Sequence, residues 1–123
     1  MEIKIPIRLV SEANTKENHY KSNKRHQEQK FLVKTFMNMA CDSFDLPCHV
    51  TLIRCAPRTF DSDNLQTAFK YIRDAVSEHV TGCTIAGRAD NDSRITWEYC
   101  QEKNSKELPY IKIKIEPCNI TPA

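Results

Sequence analysis

"CHVTLIRCAPRTFDSDNLQTAFKYIRDAV", residues 48–76, is the stretch that decides the fold. Its first eight residues read as a strand, with Val50 and Leu52 on one face and Thr51 and Ile53 on the other. Apolar side chains on both faces suit a central place in a sheet. "APRTFDSD" then reads as a turn, and the hydrophobic period changes from two to that of a helix. Over residues 64–80, Leu65, Ala68, Phe69, Ile72, Ala75, Val76, His79 and Val80 fall on one stripe. Asp63 is placed to cap this helix, and Gln66 three residues on completes a capping box.

Outward from this unit, residues 2–9, "EIKIPIRL", set Ile3, Ile5, Ile7 and Leu9 against Glu2, Lys4, Pro6 and Arg8, the alternation of a half-buried strand. Pro6 cannot donate to a ladder, which predicts an edge position. Residues 11–20 are polar and aperiodic, hence a loop. From Lys21 to Ser43 the spacing predicts a helix whose apolar face carries Leu32, Phe36, Met39, Ala40 and Ser43, with Phe31 beside them; "DLP" at 45–47 ends it. Residues 81–92 form a loop. Residues 94–102 and 109–116 alternate again and read as a hairpin of two strands. The order β-α-β-α-β-β predicts an α+β (α/β) domain over residues 1–123, a single mixed sheet with two main helices.

A chain of 123 residues suits one domain and buries enough surface to fold without disulfides. The only glycines, Gly82 and Gly87, exclude a Gly-rich phosphate loop or dinucleotide fingerprint. Six cysteines form no C-x-x-C pair, and several sit in apolar runs, as small core residues do. The opening residues form no apolar signal segment and no run is long enough for a membrane span, so a cytoplasmic protein with reduced thiols is expected. Net charge is only +2, yet Lys16, Lys21, Lys24, Arg25, Lys30 and Lys34 crowd residues 16–34. That run is either a solvated helix face or a surface that neutralises phosphates.

The carboxylates carry the chemistry. Asp61 and Asp63 precede the second helix, and Asp90 and Asp92 precede the third strand. Residues two apart in extended backbone face the same way, so each pair can aim two carboxylates at one point. Gathered together, they repel unless a cation sits between them, and magnesium suits hard oxygen ligands of this kind. The competing reading is that both are ordinary turn compositions with Asp63 as a cap. Lys70 and Arg73 are candidate cations near a phosphate, or simply the solvent face of the helix. His19, His26, His49 and His79 show no metal-ligand spacing, and Trp97 and Tyr99 read as core and sheet-surface residues.

"FDSDNLQTAFKYIRDAV", followed after a loop by "DNDSRITWEY", resembles the RusA family of Holliday junction resolvases, including its phage-borne members. The resemblance rests on an Asp-x-Asp-Asn-Leu motif opening a helix and a second acidic motif just before a strand. It extends to the first strand, the polar loop and the basic helix "HYKSNKRHQEQK". It implies a homodimeric, Mg²⁺-dependent endonuclease that cuts four-way DNA junctions in recombination and repair. On that resemblance Asp61, Asp63 and Asp92 are the catalytic and metal-binding carboxylates. Asn64 orients a ligand or the phosphate, and Lys21, Lys24, Arg25 and Lys30 contact DNA. The chain departs from the family in having Asn91 first in the second motif and Thr67 where a lysine is common; Lys70, one turn on, is the candidate replacement. The alternative is a non-catalytic DNA- or RNA-binding module on the same fold.

Overall fold

In chain order the elements are β1 (Glu2–Ile5), α1 (His19–Ala40), β2 (Cys48–Ala56), α2 (Ser62–Ala68), α3 (Lys70–Thr81), β3 (Ile95–Lys103) and β4 (Tyr110–Pro117). They are taken from a computed structural model, which describes residues 1–12, 16–40, 45–82 and 92–117. β2 is flanked on both sides, by β3 in parallel and by β4 antiparallel, and β1 pairs with the far edge of β4. The result is one four-stranded mixed sheet, ordered β1-β4-β2-β3, in the expected α+β class.

β2 is central because its apolar residues serve both faces: Cys48, Val50, Leu52, Ile53 and Cys55 are all buried. β1 is an edge strand, as Pro6 predicts. Ladder pairing stops at Ile5, although Ile7 and Leu9 continue the alternation into the core.

The expected hairpin does not form. β3 and β4 lie on opposite sides of β2, so residues 104–109 step across its end, and the Asn104 N–H donates to the Ala56 carbonyl there. Crossing two strand spacings needs roughly 10 Å, which six residues span easily. The alternation of the two strands specifies their faces but not their partners.

The second predicted helix is present as two segments. Phe69, with φ −87° and ψ 0°, turns the chain between α2 and α3 and is itself fully buried. The expected stripe is the buried face: Leu65, Ala68, Phe69, Ile72, Ala75, Val76 and Val80 all join the core. On α1 the expected face is rotated. Gln29, Val33 and Met37 are the buried residues, Leu32 and Phe36 flank them, and Met39 and Phe31 stand 78% and 70% exposed. Residues Cys41–Phe44 fall outside the described segments, and with them Ser43.

α1 and α3 run in the same direction, fixed by two cross-links. His26 stacks on Tyr71 with ring centroids 3.7 Å apart, and Lys34 pairs with Glu78 at 2.6 Å. Together with α2 they cover one face of the sheet. The other face carries a charged ladder, including Lys112–Glu102 at 2.9 Å and Lys114–Glu116 at 2.8 Å. Cys48, Cys55 and Cys100 form no disulfide with one another; Cys41, Cys83 and Cys118 fall outside the described residues. No helix among the described residues is long and apolar enough to cross a membrane.

The rotated face of α1 is testable. Met37→Ala is expected to lower unfolding free energy by about 2–5 kcal/mol. Met39→Ala should stay within about 0.5 kcal/mol of the parent. Equal urea midpoints for the two variants would restore the face expected from the sequence.

Candidate functional site

The segment between β2 and α2 is pinned to the sheet. The Phe60 N–H donates to Gln101 Oε1 at 2.7 Å, and Gln101 Nε2 donates back to the Phe60 carbonyl at 2.8 Å. This exchange fixes the direction in which the next residues leave. Asp61, rather than Asp63, caps α2: its backbone is extended and its Oδ1 accepts from the Asn64 N–H at 3.2 Å. The helix therefore starts earlier than its apolar stripe suggests, and Asp63 falls in the first turn, where the helix dipole favours a negative charge. Both carboxylates are exposed, and among the described residues no cationic side chain pairs with either.

Other expected residues lie at the same end. Because α1 is parallel to α3, its basic first half lies beside the start of α3. Lys21 and Lys24 are exposed, and Lys30 is half-buried. Lys70 is exposed, its Nζ 5.5 Å from the Tyr71 ring centroid. Thr67, at the expected lysine position, turns its hydroxyl back onto the helix and donates to the Asp63 carbonyl at 2.9 Å. Arg73 lies 4.6 Å from the Trp97 ring centroid and donates to the Tyr99 hydroxyl, so those two aromatics support the helix.

Arg25 has a different role from the one expected. Its guanidinium makes a two-pronged contact with Glu12, at 2.8 and 2.9 Å, and its Nε donates to Glu17 at 2.8 Å. The Glu12 carboxylate also meets His26 Nε2 at 3.1 Å. Arg25 thus clamps the segment after β1 onto α1, while Lys16, Lys21 and Lys24 of the basic run are exposed.

Asp92 is not brought to Asp61 and Asp63 within one chain. Asp92 precedes β3 at the end where β2 begins, since the Ile95 N–H donates to the Asp92 carbonyl and Cys48 registers with Ile95. Phe60 instead contacts Gln101, six residues along β3, which at the rise of a strand puts roughly 20 Å between the two sites. Asp92 is also engaged locally. It accepts from the Arg94 guanidinium at 2.6 and 2.9 Å and from the Arg94 N–H at 2.9 Å. Those side-chain bonds, then the backbone bond, hold its carboxyl down to about 2. Among the described residues no three of His, Cys, Asp and Glu gather as metal ligands. Asp90 falls outside the described residues.

One feature escaped sequence reasoning. Beside this end a cleft of about 620 Å³ is lined by Arg8, Ser11, Arg54, Arg58 and Phe60 among others. Arg54 is only 8% exposed, a charged residue within the central strand. Its position inside the apolar run "VTLIRCA" was the available signal.

The chain was compared with known protein families, curated proteins and solved structures, and none matches.

The Glu12 cluster predicts an acid dependence. The Arg25 hydrogen bonds, foremost, hold the Glu12 carboxyl below its ordinary value of 4.5. A depressed carboxyl stabilises the fold fully above its ordinary range, and the contribution is lost as pH falls through the depressed value. Glu12→Gln should therefore lower stability at neutral pH by roughly 1–3 kcal/mol, the cost of leaving Arg25 unsatisfied. The gap to the parent should close in strong acid. Thermal unfolding across pH checks this, and a gap independent of pH would refute the assignment.

Proposed function

We propose that the protein is a Mg²⁺-dependent, structure-selective DNA endonuclease that acts as a homodimer on branched DNA such as four-way junctions. The observation that carries this reading is the pair Asp61 and Asp63, two exposed and un-neutralised carboxylates at the same end as Lys21, Lys24 and Lys70. The two carboxylates offer hard oxygen donors and leave room for the waters that magnesium retains, so they fit the ion as a partial ligand set. When bound, such an ion supplies an activated water and stabilises the leaving oxygen of a phosphodiester. Lys70 stands one to two turns along the helix run, where its charge favours the phosphate. Lys21 and Lys24 hold the backbone in place without reading sequence. Asn64, whose N–H already fixes Asp61, keeps the carboxylate pair aimed outward.

Asp92 enters this reading through a second copy. Among the described residues, β3 has a hydrogen-bonded neighbour on one side only. Antiparallel pairing of two β3 edges about a two-fold axis brings the start of one β3 beside the end of the other. Asp92 of the partner subunit then approaches the Asp61–Asp63 pair, after releasing Arg94. The dimer presents two equivalent centres, as symmetrical nicking of a junction requires.

Asp63→Asn is expected to retain junction binding and abolish cleavage of a labelled synthetic four-way junction with magnesium present. Asp92→Asn should be equally inactive. Mixing these two inactive proteins should restore nicking, because a mixed dimer rebuilds one complete centre. Persistent cleavage by Asp63→Asn would remove the metal assignment, and a mixture that stays dead while each protein still binds DNA would remove the shared site. A second reading, a non-catalytic nucleic-acid-binding module, is favoured by the engagement of Asp92 with Arg94 and by the inward hydroxyl of Thr67. It predicts binding without magnesium-dependent cleavage by the unmodified protein.

A further inference from the structure

The cleft beside the carboxylate pair has the features of a built anion site. Among the described residues, its lining contains three arginines, Arg8, Arg54 and Arg58, and no carboxylate. Arg54 is the anchor. Its guanidinium lies 3.6 Å from the Phe60 ring centroid, and its Nη1 donates to the Arg58 carbonyl and, at 3.4 Å, to Gln101 Oε1. Its Nε is buried with no hydrogen-bond partner, and so is the Ser11 hydroxyl in the same lining. Among the described residues, none of the three arginines has an ion-pair partner.

A buried charge of this kind is costly unless something pairs with it. Burial, and then the nearby charge of Arg8, push the Arg54 guanidinium below its ordinary pKa. An anion in the cleft would offset both effects by favourable charge interaction. A single carboxylate or phosphodiester carries one negative charge against three positive ones. A phosphate monoester carries nearly two and offers three acceptor oxygens. Guanidinium forks match its geometry, and the buried, unpartnered Arg54 Nε leaves the Arg54 charge only partly satisfied inside the protein. The rest of the wall, including Leu9, Val10 and Pro109, is apolar and suits the sugar or base attached to the phosphate.

We propose that the Arg8–Arg54–Arg58 cleft binds a terminal phosphate, that of a nucleic-acid end or of a free nucleotide, with Arg54 as its buried anchor. Neither Asp61 nor Asp63 lines the cleft, so the site stands apart from the nuclease reading and survives its failure. Arg54 is held in the fold for this ligand at the expense of the free protein's stability.

Calorimetric titration of the full chain tests it, with inorganic phosphate, a mononucleotide, and matched oligonucleotides bearing a 5′-phosphate or a 5′-hydroxyl. Arg54→Met and Arg8→Gln should each weaken phosphate binding by about tenfold or more, while Asp63→Asn leaves it unchanged. Arg54→Met should also unfold at the same or higher urea concentration than the parent, since it removes an unpaired buried charge. Should that variant not fold, the exposed Arg8 position carries the binding test alone. Arg-dependent preference for the 5′-phosphorylated oligonucleotide identifies the source as a nucleic-acid end. Equal binding of the two oligonucleotides, with an arginine-dependent mononucleotide, identifies a free nucleotide. Affinities for phosphate, nucleotide and oligonucleotide that both arginine variants leave unchanged would overturn the proposal. So would an acidic peptide as the sole arginine-dependent ligand.

Discussion

The parallel pairing of β2 with β3 is the constraint on which the rest of the structure depends. Parallel neighbours cannot be joined by a tight turn, so the chain must return along the full length of the sheet before β3 begins. The helical run from Ser62 to Thr81 is that return path, and its apolar stripe is what covers the sheet. The same constraint separates the two acidic motifs. One lies where β2 ends and the other where β3 begins, and in a parallel pair those are opposite ends. A shared metal centre therefore needs two chains, whatever the resemblance of the motifs suggests about one.

Around that constraint the packing divides the charges by task. Arg25 is spent internally, in a clamp with Glu12 and Glu17 that holds the segment after β1 against α1. Arg94 is spent locally on Asp92. On the open face of the sheet Lys112 reaches from β4 to Glu102 on β3, and Lys114 pairs with Glu116 along β4. Among the described residues, the Asp61–Asp63 pair, the outward lysines of α1 and the three arginines of the cleft have no ion-pair partner. Unpaired charge is what a ligand can meet, since satisfied pairs have little further energy to offer it.

Much of the fold was legible in the sequence because it is encoded by local periodicity. The both-sided apolar pattern of residues 48–55 gave a central strand, Pro6 gave an edge, and the stripe from Leu65 to Val80 gave the buried helix face. Strand partnership was not legible: β3 and β4 alternate as a hairpin would, and only tertiary packing sets β2 between them. The face of α1 was misread because Phe31 and Met39, although apolar, lie outside the stripe of Gln29, Val33 and Met37 that meets the core. The cap was misplaced by two residues, since Asp61 and Asp63 have equal propensity and Ser62 can be helical. Arg54 was passed over because a single charge in a strand reads as an irregularity until its burial is known.

The parallel run of α1 and α3 has an electrostatic consequence. Here the positive ends of α1 and α3 point the same way, and that of α3 adjoins the end of α2. Their fields add at the end that also carries Lys21, Lys24 and the arginine cleft. The two helix ends contribute only within about a turn of their termini, where the Asp61 and Asp63 carboxylates oppose them, and salt weakens them further.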